Sequence, residues 1–180
     1  TKFGVGSKTG SGLPGESRGI LPKVADWSGT SAPTMAFGQG YSLTAMQATS
    51  IFATIANDGV RVSPTVIAGT RDSSGNFTPA PGRTSQRVIS AETAQVMRLM
   101  MESVVSKNGT APSAAIPGYR VAGKTGTAQR IDDTCGCYRG YTASFIGFAP
   151  ADKPAYVISV TIQDPKGMHW GGYLGGPVFK

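Results

Sequence analysis

Apolar residues recur at helical spacing in two stretches of the chain, and these stretches predict its two main helices. The first helix is predicted at roughly 43–57, where Thr44 and Gln47 have the form of a capping box. The second is predicted at roughly 91–106, after Ser90, a favoured residue at a helix start. We expect the apolar row of each helix to pack in the core. These rows are Met46, Ile51 and Ile55 in the first helix and Val96, Leu99, Met100 and Val104 in the second.

The patterning changes to β-branched and aromatic residues in the last third of the chain, which predicts three strands. They are placed at about 119–130, 142–149 and 155–163. A short turn, Pro150–Pro154, joins the last two, so we expect those strands to pair antiparallel. Pro177 indicates the opening of a further helix, because proline favours the first helical turn. The predicted fold class is α+β, an antiparallel sheet flanked by helices, with three sheet strands and two main helices.

Loop-forming residues dominate the rest of the chain. Residues 1–34 are rich in glycine, serine, threonine and proline. Val60–Ile67 has β-branched residues and a proline, which predicts a short edge strand or hairpin. Arg71–Ser85 is polar, and Ser74–Asn76 within it predicts a turn. No linker divides residues 1–180, so we expect a single domain, and the long irregular start favours a chain that begins inside a larger one.

Composition and charge narrow the function classes. With 180 residues and 39% hydrophobic content the chain can bury a core, which excludes an intrinsically disordered protein. The net charge of +7 and the pI near 9.7 favour anionic partners. The basic residues are scattered and are not interleaved with aromatic residues, so nucleic acid is not an expected partner. No apolar run is long enough to span a bilayer, and we expect any export or anchoring signal to lie outside this chain.

The strongest candidate for a functional centre is Val121–Ala128, where a lysine lies between two glycines. Glycines are unfavourable inside a strand, so Gly123 and Gly126 indicate a close approach to the backbone. Side chains alternate along a strand, which places Lys124 on one face and its threonine neighbours on the other. A site that engages all of these groups lies along the strand edge. There a cation, hydroxyls and backbone N–H groups bind a carboxylate or an oxyanion.

Two cysteines, the single histidine and two aspartates are weaker candidates. Cys135 and Cys137 are too few for a disulfide scaffold and lack the second half of a zinc site. A tight disulfide and two loop thiols both remain open. His169 is interpreted as a loop residue rather than a base, and Asp132 and Asp133 as a solvated loop rather than a catalytic pair. No cofactor or metal ion is predicted.

The Lys-Thr-Gly motif at Lys124–Gly126 is weak by itself, but further matches accompany it along the chain. The sequence resembles the penicillin-recognising serine acyltransferases, in which Lys-Thr-Gly is the third signature. Within them it is similar to class B penicillin-binding proteins of the cell-division type, and its Cys-x-Cys insertion is similar to that of actinobacterial members. The resemblance is carried by Phe3–Gly6, Leu13–Glu16, Gly38–Gly40 with Thr44 and Gln47, Ala56–Val60, Gly109–Ala111, Ala122–Gln129 and Ser144–Pro150.

This resemblance implies a peptidoglycan D,D-transpeptidase that cross-links stem peptides through a serine acyl-enzyme and is the target of β-lactams. It implies that Lys124 supplies positive potential to the cleft. Thr125 and Thr127 would hydrogen-bond the terminal carboxylate of the substrate, and Gly126 would permit close approach. The Thr127 N–H would be one donor of the oxyanion hole.

The chain departs from the family pattern at the nucleophile. No lysine has a serine three positions before it, so the S-x-x-K motif is absent. Two S-x-N matches, Ser74–Asn76 and Ser106–Asn108, are interpreted as chance matches because the pattern is short. The resemblance therefore implies that residues 1–180 are the C-terminal portion of a transpeptidase domain. They would supply the Lys-Thr-Gly wall of the cleft without the nucleophile, and would be inactive alone.

The resemblance also implies partners and a location. The expected partners are D-Ala-D-Ala stem peptides, β-lactams, the N-terminal part of the same domain, and a divisome glycosyltransferase that binds through regions outside this chain. The expected location is the extracytoplasmic face of the bacterial membrane, with an N-terminal anchor outside this chain. Two other functions remain open: a D,D-carboxypeptidase or β-lactamase-like hydrolase, and a non-catalytic wall-binding or β-lactam-sensing module.

Overall fold

Antiparallel strand pairs and α-helices make up the part of the chain that the structure, a computed structural model, describes: residues 1–132 and 134–180. The strands are β1 (Val60–Val62), β2 (Gly69–Arg71), β3 (Phe77–Pro79), β4 (Ser85–Arg87), β5 (Ala122–Asp132), β6 (Cys137–Ala149) and β7 (Tyr156–Gln163). The helices are α1 (Ser31–Ala36), α2 (Ala45–Ala56), α3 (Ala91–Glu102) and α4 (Gly171–Phe179). The predicted α+β class is confirmed.

The main sheet has the strand order β5-β6-β7, and both strand pairs are antiparallel, as predicted. Strand β5 begins at Ala122 rather than near 119, because the Tyr119 N–H donates to Ile116 O in a turn (3.0 Å). Strand β6 begins earlier than predicted, at Cys137, because its first residues continue the ladder with β5.

The core lies on both faces of this sheet. On one face Phe145 of β6 is fully buried, and its ring meets that of Phe179 of α4 edge to face, with 5.0 Å between the ring centroids. On the other face Phe148 packs with Ile55 of α2 and Met101 of α3. Neighbouring residues of a strand point to opposite faces, so α4 covers one side of the sheet, and α2 and α3 cover the other.

The two main helices are present, but α3 buries a different face from the predicted one. Thr44 and Gln47 form the predicted capping box at the start of α2, and the Ser90 hydroxyl accepts the Thr93 N–H at the start of α3. The expected core row of α3 is largely exposed, at 48% for Val96, 55% for Leu99 and 61% for Met100. Ala94 and Met101 are buried instead, because the side of α3 that carries them faces the sheet and α2.

Helix α4 corrects the prediction for Pro177. The helix begins at Gly171, and Pro177 lies near its end rather than at its opening. Sequence patterns did not predict the start of this helix, because its first residues are rich in glycine and glycine disfavours helices. Within the described ranges, no helix is long and apolar enough to cross a membrane.

Two small strand pairs occupy the region between α2 and α3. Strand β1 pairs with β4, and β2 pairs with β3, both antiparallel. The predicted turn at Ser74–Asn76 joins β2 to β3, and the Asp72 Oδ1 atom accepts the N–H groups of both Ser74 and Asn76 (2.9 Å each). The polar segment around this turn therefore forms a hairpin, which the sequence pattern did not predict.

The N-terminal segment is mostly loop, as predicted, and Gln47 of α2 attaches it to the rest of the protein. The Gln47 amide nitrogen donates to the carbonyl oxygens of Ser7 (2.8 Å) and Arg18 (2.9 Å), and its side chain is almost completely buried. The same side chain accepts the Thr44 N–H (2.9 Å), so one residue caps the helix and holds two loops.

Candidate functional site

The lysine and threonines of the predicted centre lie on β5, an edge strand of the main sheet in the described part of the chain. Lys124 is opposite Ile146, and Thr125 is opposite Phe145, on the face that α4 covers. Thr125 and Thr127 therefore share the α4 face, and Lys124 lies on the other. The predicted alternation is present, and these groups meet only along the edge of the strand.

Lys124 has an exposed side chain whose Nζ atom donates to the carbonyl oxygen of Thr125 (2.9 Å). In residues 1–132 and 134–180, no carboxylate forms an ion pair with it. Because a backbone carbonyl does not neutralise an ammonium group, the positive charge remains available to an anion at the strand edge.

The Thr125 hydroxyl lies 3.1 Å from the hydroxyl of Thr110, a residue of the loop that follows α3. The methyl group of Thr125 lies against Gly172 of α4: a Cβ atom built on this glycine would be 3.1 Å from Thr125 Cγ2, and would collide with the carbonyl oxygen of Thr110. Thr125 is thus held between the loop and the helix.

The Thr127 hydroxyl accepts a hydrogen bond from the backbone N–H of Gly171 (3.2 Å), the first residue of α4. A Cβ atom on Gly171 would collide with the carbonyl oxygens of Gly126 and Ser144. Glycine is therefore required at this position for the helix to approach the strand closely. The contact fixes the start of α4 directly behind the Lys-Thr-Gly-Thr stretch.

The two glycines of the stretch make room for neighbours within the protein. A Cβ atom on Gly126 would lie 2.5 Å from Ser144 Oγ, and one on Gly123 would lie 2.5 Å from the ring of Phe145. The close approach that the sequence indicated is thus made at least in part by strand β6. The role of these glycines in the approach of a substrate stays a prediction.

An aromatic stack, formed by Tyr141, His169 and Trp170, lies beside the threonine end of the stretch. The Tyr141 and His169 rings are nearly parallel, with centroids 4.1 Å apart, and His169 and Trp170 are 5.0 Å apart. His169 lies in a loop, as expected, and Trp170 directly precedes Gly171. Sequence patterns did not indicate this stack, because Tyr141 and His169 come from segments that only the folded chain brings together.

The turn between β5 and β6 contains a disulfide between Cys135 and Cys137, whose Cα atoms are 5.2 Å apart. Beside it, the Asp132 carboxylate accepts the backbone N–H of Thr134 (2.9 Å) and its hydroxyl (2.5 Å), and the hydroxyl bond is the main cause that lowers the pKa of Asp132. Arg139 lies 3.3 Å from the same carboxylate. Asp132 is thus a structural residue of this turn, and Asp133 lies outside the described residues.

The remaining sequence candidates lie away from these groups. Ser74 is in the turn between β2 and β3, and the Ser106 hydroxyl donates to the carbonyl oxygen of Ser103 (2.7 Å). Neither Ser74 nor Ser106 hydrogen-bonds β5 among the described residues. In the same residues, no group of three or more His, Cys, Asp or Glu side chains could hold a metal ion.

An antiparallel sheet between helices, with Lys-Thr-Gly-Thr on its edge strand, carries one of the three signatures of the penicillin-recognising serine acyltransferases. The penicillin-binding protein transpeptidase domain family matches residues 1–180. The chain belongs to this family, as part of the transpeptidase domain of a class B penicillin-binding protein.

Similar proteins and structures agree with this assignment. The chain is 45% identical to penicillin-binding protein PbpB of Mycobacterium tuberculosis over 99% of its own length and 28% of the relative. It is 36% identical to peptidoglycan D,D-transpeptidase FtsI of Escherichia coli K12, over 99% of the chain and 29% of that protein. It matches the apo structure of penicillin-binding protein 3 of M. tuberculosis with a TM-score of 0.91 and 44% identity, covering 99% of this chain and 42% of that one. The chain thus spans less than a third of the length of these two relatives.

Proposed function

We propose that this chain is part of a peptidoglycan D,D-transpeptidase and forms the Lys-Thr-Gly wall of its acyl-transfer cleft. The observation that supports the proposal is the arrangement of three side chains at the edge of β5. Lys124 presents an ammonium group from one face, and Thr125 and Thr127 present hydroxyls from the other, both held in place by contacts from outside the strand. This arrangement fits a ligand that carries a carboxylate and develops an oxyanion.

In the proposed reaction a serine outside this chain attacks the carbonyl carbon of the penultimate D-Ala of a stem peptide. The peptide bond to the terminal D-Ala breaks, D-Ala leaves with a proton on its amine, and an acyl-enzyme forms. The amine of a second stem peptide then attacks the ester carbonyl and frees the serine. The stretch Lys124–Thr127 at the edge of β5, here named the substrate edge, binds the substrate and stabilises charge in both steps.

Lys124 contributes positive potential toward the substrate carboxylate and the developing oxyanion. The hydroxyls of Thr125 and Thr127 donate to the carboxylate. Gly126 has no side chain between them, so the ligand can approach the strand closely. Recognition of this carboxylate orients the scissile carbonyl against the edge of β5. β-Lactams bind the same groups because they carry a carboxylate next to a reactive carbonyl.

The backbone N–H of Thr127 is proposed as one oxyanion donor. Alternate residues of an edge strand direct their N–H and C=O groups away from the sheet. The Lys124 Nζ atom reaches Thr125 O (2.9 Å), which supports an outward orientation for Thr125 and, two residues on, for Thr127. Removal of one such donor in a serine protease costs about 2.7–4 kcal/mol in the activation barrier.

We further propose that the protein acts at the extracytoplasmic face of the cell membrane, anchored through a segment outside this chain. The Cys135–Cys137 disulfide supports this location, since such bonds persist in oxidising compartments. A divisome glycosyltransferase is the proposed protein partner, engaged through regions outside residues 1–180.

The proposal is tested by covalent labelling with a fluorescent penicillin, read by intact mass. The full-length protein should be acylated, and the 180-residue chain alone should not. In the full-length protein, Lys124→Ala should slow acylation on the order of 100-fold, because it removes charge stabilisation from the cleft. Lys153→Ala, in the exposed turn between β6 and β7, is the matched control and should have no effect. Acylation of the short chain, or no effect of Lys124→Ala, would contradict the proposal.

The rate of deacylation distinguishes a transpeptidase from the alternative functions, a hydrolase or a non-catalytic binding module. A transpeptidase should release bound penicillin slowly in water and faster with an amine acceptor, whereas a carboxypeptidase or β-lactamase should hydrolyse it quickly. A non-catalytic wall-binding module should bind peptidoglycan without acylation.

A further inference from the structure

Each threonine hydroxyl of the substrate edge has a hydrogen-bonding partner behind it, on the α4 side. The partner of Thr127 is the backbone N–H of Gly171 (3.2 Å), and the partner of Thr125 is the hydroxyl of Thr110 (3.1 Å). A hydroxyl group has one proton to donate and lone pairs with which to accept. The rear partner therefore decides what each threonine can offer to a ligand at the front.

At Thr127 the direction of the rear bond is fixed, because a backbone N–H can only donate. Thr127 Oγ1 accepts from Gly171, and its own proton stays free for the ligand. At Thr125 the geometry allows either hydroxyl to donate. An ionised carboxylate accepts hydrogen bonds only, so Thr125 must donate toward it, and the Thr110 hydroxyl must then donate to Thr125.

The chain holds Thr110 firmly in this position. The Ala111 N–H donates to Val104 O (2.9 Å), which closes the loop directly after Thr110. The Thr110 carbonyl oxygen packs against Gly172, whose own carbonyl accepts the Ser113 hydroxyl (2.9 Å). Thr110 is thus fixed relative to α4, and Thr125 is held between Thr110 and α4.

We infer that Thr110 is a positioning residue for carboxylate recognition: it donates to Thr125 and so directs the Thr125 proton toward the substrate carboxylate. This inference rests on the proposed function. Thr110 does not touch the substrate, and it acts through Thr125 alone. A chain of hydrogen bonds that ends on a charged acceptor is mutually strengthened, so the contribution of Thr110 depends on the charge of the ligand.

The experiment uses the full-length protein and two probes, a penicillin with a free carboxylate and its methyl ester. Thr110→Val keeps the shape of the side chain and removes the hydroxyl. We expect it to lower the second-order acylation rate by about tenfold for the free acid and by less than about twofold for the ester. Thr110→Ser retains the hydroxyl and should restore most of the rate, while Thr110→Ala should behave as Thr110→Val and guards against misfolding of one variant.

A double-mutant comparison locates the effect. Thr125→Val should reduce the free-acid rate, and the Thr110→Val/Thr125→Val pair should be no slower than Thr125→Val alone, because Thr110 acts through Thr125. Equal losses for the acid and the ester, or additive losses in the pair, would overturn the inference while leaving the proposed function intact. Failure of the unmodified full-length protein to be acylated would overturn the proposed function and this inference together.

Discussion

The Glu16 carboxylate closes the N-terminal loop on Thr9, accepting both its backbone N–H (2.7 Å) and its hydroxyl. It also accepts the N–H of Gly10 (3.1 Å). The hydroxyl bond is the main cause that lowers the pKa of Glu16. The Leu-Pro-Gly-Glu segment, which helped to indicate the family, thus has an identifiable structural role as the acceptor that organises a loop.

Glu16→Gln should reduce the pH dependence of stability. The folded pKa of Glu16 lies below its ordinary value of 4.5, so its stabilising contribution is fully present above that value. The contribution is lost as the pH falls through the lowered folded pKa. Lowering the pH from about 6 to about 3 should therefore reduce the melting temperature of the unmodified protein more than that of Glu16→Gln, as measured by thermal unfolding.

Thr9→Val is the control for this effect, since it removes the hydroxyl that lowers the pKa and leaves the carboxylate in place. The pKa of Glu16, followed by NMR titration, should rise in this variant. An unchanged pKa would show that Thr9 is not the cause.

Gln47→Ala should destabilise the protein by about 2–4 kcal/mol, because it removes a buried side chain that donates to two loop carbonyl groups and forms half of the capping box. The side chain is only 2% exposed and bonds to Ser7 and Arg18. Chemical denaturation of the full-length protein measures the loss. Gln86→Ala, at an exposed position of β4, should change stability by less than about 0.5 kcal/mol. Similar values for both variants would argue against the role of Gln47.

Gly171→Ala should destabilise the packing of α4 on β5 by roughly 1–3 kcal/mol, as overpacking of a core contact does. The added methyl group collides with the carbonyl oxygens of Gly126 and Ser144, which are backbone atoms and cannot rotate away. Acylation by penicillin should slow as well, since the displaced start of α4 moves the backbone N–H of residue 171 away from the Thr127 hydroxyl. Gly82→Ala, where a Cβ atom meets open space, is the matched control and should leave both quantities unchanged.

Replacing both cysteines, as Cys135→Ser with Cys137→Ser, should cost about 1.5 kcal/mol or less, because the disulfide closes a very short loop and removes little entropy from the unfolded chain. Hydrogen exchange should speed up at the tip of the β5–β6 hairpin and remain slow at Gly126, whose N–H alternates with those of the two threonines and points toward β6. Loss of protection at Gly126 would show instead that the disulfide supports the part of β5 that carries Lys124, Thr125 and Thr127.

Features that depend on near neighbours in the chain could be predicted from the sequence. The opposite faces of Lys124 and Thr125 follow from strand periodicity, and the capping box of Thr44 and Gln47 follows from a spacing of three residues. The antiparallel pairing of β6 and β7 follows from the short turn between them.

Features that depend on packing could not be predicted. Val96, Leu99 and Met100 have the spacing of a core face, yet Ala94 and Met101 are the buried residues of α3. Periodicity shows that a helix has an apolar side, but the neighbours of the helix decide which side is buried.

The sequence by itself determined the chemistry of the substrate edge, because a lysine, two hydroxyls and a glycine on one strand present the same groups wherever that strand lies. The tertiary structure decided how the hydroxyl groups of Thr125 and Thr127 are oriented. Thr110 and Gly171 come from a loop and a helix that lie 15 and 44 residues from the threonines they contact, and only packing of α4 and this loop against the sheet brings them behind Thr125 and Thr127. Hydrogen bonds require contact within about 3 Å, and contacts between distant segments are set by the fold as a whole.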